Sequence, residues 1–143
     1  MAATWVLAQA ASDQTARIDP CAHARALVFI ITGTNMNTST TERFVSLVGT
    51  YEIDPLDAAA FARIATASVD QIAAKPGCLY YSASQDLKQA NVFHLAEGWA
   101  TQQALDAHLG SPDFLTMLEQ ACRLRIVRRD IYLSQSAGRT LLG

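Results

Sequence analysis

"FHLAEGWATQQALDAHLGSPDF" (residues 93–114) changes its period part-way along. Up to Glu97 apolar residues alternate, as they do in a half-buried strand. An aromatic follows at Trp99, and Thr101 is placed to cap a helix that stops at Gly110, a residue suited to a left-handed position just beyond a helix. Ser111, Pro112 and Asp113 then start a second helix, with Phe114, Leu115 and Leu118 as its apolar positions. A carboxylate (Glu97), an indole (Trp99) and an imidazole (His108) therefore fall within one short strand-to-helix passage. Two readings are open: the three close a core, or they line a pocket.

Working outward, "RFVSLVGTYEI" (43–53) is rich in β-branched and aromatic residues and predicts a strand buried on both faces. In "DPLDAAAFARIATASVDQIAAKPG" Asp54 reads as an N-cap, Pro55 as the first helical residue, and Asp57 as an anion in the first turn. Phe61, Ile64, Ser68 and Ile72 form one stripe, and Lys75-Pro76-Gly77 ends the helix. "CLYYSAS" (78–84) and "VFHLAEGW" (92–99) predict strands joined by the polar connection 85–91, and "RLRIVRRDIYLS" (123–134) the last strand. The order is βαββαβ with a divided second helical region. It predicts an α+β, ferredoxin-like fold, with helices on one face of a four-stranded antiparallel sheet. An apolar second face needs cover, and a second copy of the chain supplies it most simply.

A chain of 143 residues fits one domain. Half of it is hydrophobic and its formal charge is −2, which favours a small molecule or another protein over nucleic acid as the partner. Cys21, Cys78 and Cys122 are odd in number and lack C-x-x-C spacing, so they read as reduced thiols of a cytoplasmic protein and not as a metal site. Residues 1–43 hold no sustained period, and their apolar run "ALVFIITG" (26–33) is far short of the ~18 residues a membrane span needs. Residues 1–35 are expected to be an extension outside the core, with Met36 a candidate start and 36–143 the domain proper.

From Phe44 to Ser134 the chain resembles the antibiotic biosynthesis monooxygenase, or quinol monooxygenase-like, family of dimeric α+β barrels. The features are the opening strand and helix, "KPGCLYYSAS", and above all Glu97-x-Trp99 with His108 and Ser111-Pro-Asp-Phe114 following. The resemblance implies a homodimer in which molecular oxygen, as co-substrate, reacts directly with an electron-rich quinol or polyketide-like aromatic, without metal, haem or flavin. Such a protein binds the aromatic anion, excludes water and controls one proton. His108 suits the proton role, Glu97 its orientation, and Trp99 an aromatic wall with one N–H donor. Tyr80, His94 and Tyr51 are candidate substrate-binding residues. Leu95 stands where members with monooxygenase activity often carry asparagine.

Plainer roles exist for each residue. Trp99 can be core, Glu97 can pair with Arg125 or Arg128, and His108 can be a cation at a helix C-terminus. At the level of function the alternatives are another activity on this scaffold, such as isomerisation or degradation of a small metabolite or haem breakdown with His94 or His108 on iron, and a non-enzymatic dimeric binding module.

Overall fold

The computed structural model describes residues 43–138 and 142; the expectations for residues 1–35 and Met36 lie outside these residues. The elements run β1 (Phe44–Ile53), α1 (Ala58–Ala73), β2 (Cys78–Gln85), β3 (Val92–Trp99), α2 (Gln102–Leu109), α3 (Pro112–Cys122) and β4 (Ile126–Ser136). The four strands form one antiparallel sheet in the order β2-β3-β1-β4. This is the expected ferredoxin-like arrangement.

Strand β1 runs through the middle of the sheet and alternates. Val45, Leu47 and Ile53 are buried, whereas Val48 on the opposite side is 47% exposed. In the single chain, β1 is thus covered on one face and not on both. The covered face carries two clusters: Val45, Leu47, Trp99, Leu105 and Ile72 at one end, and Ile53, Phe61 and Phe93 at the other. From α1, Phe61, Ser68 and Ile72 are buried against the sheet, one residue every turn or two as an amphipathic stripe requires.

The start of α1 differs from its expected position. The helix begins at Ala58 with Asp57 as N-cap. Asp54 instead accepts the Leu56 N–H at 2.9 Å, and both carboxylates serve Arg125. Its Nε–H and backbone N–H donate to Asp57 Oδ2 at 2.9 Å, and its Nη2 lies 3.3 Å from Asp54 Oδ1. The Asp-Pro turn is thereby docked on the entry to β4, a demand that helix-start preference does not contain.

Thr101 caps α2 as expected, accepting the Ala104 N–H at 3.1 Å. Gly110 ends α2 at φ −88°, not in the left-handed region. The glycine that needs a positive φ is Gly77, at φ +81°, where a Cβ would also stand 2.5 Å from that of Ala104. Cys122 is disulfide-bonded and Cys78 is free, which corrects the expectation of three reduced thiols. Odd number and spacing say nothing of which sulfurs meet in space.

Candidate functional site

Period-2 geometry sends Glu97 and Trp99 of β3 to the covered face, at the level of Leu47 and Val45 of β1. Trp99 is fully buried and its Nε1–H donates to Glu97 Oε2 at 3.0 Å. Helix α2 then lays His108 flat on the indole, with ring centroids 4.7 Å apart and planes 17° from parallel. Phe114, from the first turn of α3, meets the imidazole edge-on at 4.7 Å. The cluster at 97, 99 and 108 is therefore a real spatial unit.

Its electrostatics follow from burial. The Glu97 side chain is 6% exposed, and desolvation pushes its pKa up to about 6, against the opposing pull of the Trp99 hydrogen bond. His108 has no exposed side-chain surface. Burial, and then the Lys75 charge, push its pKa down to about 4. His108 Nε2 lies 4.0 Å from Glu97 Oε2, and neither of its ring nitrogens has a hydrogen-bond partner. An imidazole so placed is neutral at pH 7, which removes the helix-terminus cation reading.

The pairing of Glu97 with Arg125 or Arg128 also fails. Arg125 is held by Asp54 and Asp57, and Arg128 pairs with Asp130 at 3.2 Å. Lys75, near His108, is likewise engaged: it donates to Ser111 Oγ at 2.6 Å and pairs with Asp113 at 2.7 Å, pinning the end of α1 to the start of α3. That pair holds Asp113 down at about 2.

Between the covered sheet face, α1 and α3 lies a cavity of about 100 Å³. Its walls are largely apolar, including Leu47, Phe61, Leu95, Phe114 and Met117, and its polar lining comes from Glu97, Tyr51, Tyr81, Ser68 and Arg129. Trp99 and His108 stand behind Glu97 and do not line it. Burial pushes the Tyr51 and Tyr81 hydroxyls up to about 12, so both are neutral donors. This combination can receive an aromatic ring, offer it hydroxyl hydrogen bonds and present one carboxylate able to take a proton near neutrality.

The expected site residues divide between the sheet's two faces. Tyr51 shares the cavity with Glu97. His94 lies on the open face, bonded to Asp86 and Thr50 at 3.2 Å each. Tyr80 is also there, 3.2 Å from Ser46 Oγ, its ring against Gly98, where a Cβ would stand 2.1 Å from it. An irregularity between Cys78 and Tyr80 shifts the phase of β2, so that Tyr81 faces Glu97 from across the strand pair. Tyr81, Ser68 and Arg129 were missed because a bulge and long-range packing, not local pattern, bring them in. Among the described residues, no group of His, Cys, Asp and Glu is placed to hold a metal ion, and no helix is long and apolar enough to cross a membrane.

This arrangement can be set beside known proteins. The family profile described as antibiotic biosynthesis monooxygenase matches residues 44–120, all of the sheet but β4 together with the three helices save the end of α3. The chain belongs to the antibiotic biosynthesis monooxygenase family. Solved structures agree on the fold. A candidate antibiotic biosynthesis monooxygenase from Deinococcus radiodurans superposes with a TM-score of 0.63 at 24% identity, covering 68% of this chain and 96% of that one. PA3566 from Pseudomonas aeruginosa gives 0.62 at 26% identity, over 68% and 98% of the two chains. Rv0793 from Mycobacterium tuberculosis gives 0.59 at 22%, over 70% and 99%. No curated protein matches significantly. In this family member Glu97 of the Glu-x-Trp pair lines the cavity, and Trp99 and His108 pack behind it.

Proposed function

We propose that the protein is a cofactor-independent monooxygenase that oxidises a quinol or a related phenolic aromatic with molecular oxygen. The observation that carries this reading is the Glu97 carboxylate, raised to about 6 by burial, at the wall of an otherwise apolar cavity. Glu97 takes a proton from the bound aromatic, and Tyr51 and Tyr81 hydrogen-bond its oxygens. The resulting anion gives one electron to oxygen, and the substrate radical and superoxide combine in a carbon–oxygen bond. Cleavage of the O–O bond leaves one oxygen on the product. The other departs as water, carrying the two hydrogens that the substrate loses, one of them returned by way of Glu97. In this proposal His108 and Trp99 are the groups behind the base: the indole fixes the carboxylate, and a neutral imidazole adds no positive charge that would lower its pKa.

The open sheet face, where Val48 and Tyr132 oppose each other at 47% and 68% exposure, is proposed as the homodimer surface. Light scattering should give a dimer for the full chain and a monomer for Val48→Asp.

An oxygen electrode with a panel of dihydroxynaphthalenes and anthrones tests the activity. At least one member should give uptake well above its spontaneous oxidation and a product that has gained an oxygen and lost two hydrogens. Binding with no uptake across the panel would favour the dimeric binding module instead.

A further inference from the structure

Arg129 has no role in the reaction described above, yet it breaks the pattern of its strand. On the covered face of β4 it precedes Ile131 and Leu133, so that a guanidinium occupies a position in an otherwise apolar row. It lines the cavity. Its neighbours Arg125 and Arg128 are both ion-paired, whereas the Arg129 guanidinium makes no side-chain hydrogen bond or ion pair with another described residue. A half-buried cation without a partner is costly, and a planar five-donor fork suits an oxyanion.

Position adds to this. Arg129 lies opposite Tyr51, which lies opposite Phe93, and Glu97 is four residues further along β3. Two strand spacings of ~4.8 Å and four steps of ~3.3 Å put the backbones of Glu97 and Arg129 roughly 16 Å apart. The two charged side chains thus mark opposite ends of one cavity. Burial raises the Glu97 pKa, and only the Trp99 hydrogen bond, not a cation, opposes it.

We propose that Arg129, with the Tyr51 hydroxyl beside it, is an anion-accepting end of the cavity, and that the preferred substrate is an aromatic acid whose carboxylate docks there while its reacting hydroxyl faces Glu97. Tyr51 remains a protonated donor at every physiological pH. The assignment of the reacting end rests on the monooxygenase reading; the anion site does not. Arg129 is a specificity and positioning residue, and Glu97 alone meets the proton that moves.

Anaerobic calorimetric titration of the full chain with a dihydroxynaphthoic acid and with the matching dihydroxynaphthalene tests the proposal. The acid should bind at least about tenfold more tightly, the scale of one charge-assisted pair. Arg129→Met should abolish that preference by weakening the acid alone, and Arg129→Lys should restore part of it. Equal binding of the two probes by the wild-type protein, no binding of the acid, or a preference that survives in Arg129→Met overturns the proposal. Should Arg129→Met not fold, the wild-type ratio decides. A preference without oxygen uptake would keep the anion site and remove the monooxygenase reading.

Discussion

The two faces of the sheet carry similar residue types and treat them differently. On the covered face, Glu97 and His108 are nearly devoid of solvent, stand 4.0 Å apart, and have pKa values displaced in opposite directions, to about 6 and about 4. On the open face, Asp86 and His94 stand 3.2 Å apart with side chains 32% and 43% exposed. There the Asp86 carboxyl is held below its ordinary value, chiefly by the Lys88 backbone N–H and then by His94. The same acid–imidazole pairing is an ordinary surface contact on one side and a buried unit on the other. Desolvation makes the difference, because it disfavours charge on either partner before their attraction can act.

The largest effect expected from breaking this asymmetry is on turnover. Glu97→Gln keeps shape and the hydrogen bond to Trp99 but removes the base, and oxygen uptake on an accepted quinol should fall about 100-fold or more while the melting temperature holds or rises. Unchanged uptake would move the proton chemistry elsewhere, Tyr81 first.

His108→Ala empties space beneath the indole but also removes two unpartnered nitrogens. The net loss should be roughly 1–3 kcal/mol by thermal or urea unfolding. His108→Leu should recover that loss. If His108→Leu is as active as the wild type, the imidazole is packing; if it is stable and slow, the imidazole handles a proton.

The pH dependence sharpens the contrast. A carboxyl whose pKa is raised on folding stabilises most below its ordinary value of 4.5 and loses that contribution as pH rises through about 6, a change of about 2 kcal/mol. An imidazole lowered on folding contributes fully above 6.5 and loses stability as pH falls through about 4. The two oppose each other between pH 4.5 and about 6 in the wild type. Glu97→Gln should therefore unmask a stability that rises from pH 4 to 6.5, and His108→Leu one that falls from pH 4.5 to 6, both read from urea midpoints. On the open face His94→Ala should cost well under about 1 kcal/mol, as exposed pairs do. A larger loss there would mean that the open face is desolvated in the assembled protein.

Much of the fold could be read from the chain. β3 and α2 begin and end where alternation, the Thr101 cap and Gly110 indicated. Local pattern failed where a distant group intervened: Arg125 claims Asp54 and Asp57 and delays α1, and the irregularity after Cys78 exchanges Tyr80 for Tyr81 at the cavity. Of the candidate site, the Glu97, Trp99 and His108 association was legible because strand period and helix spacing bring them together within one short passage.

The sequence by itself determined the order of elements, the antiparallel sheet, and which face β3 turns inward, since these depend on periods of 2 and 3.6 and on neighbours a few positions away. Only the tertiary structure decided that His108 is sealed and neutral, that Glu97 and not His108 meets the cavity, and that the Arg129 guanidinium at its far end has no ion-pair partner among the described residues. Those properties depend on how much water the packed elements exclude and on which charges are already taken, and both are set by contacts between residues remote in the chain.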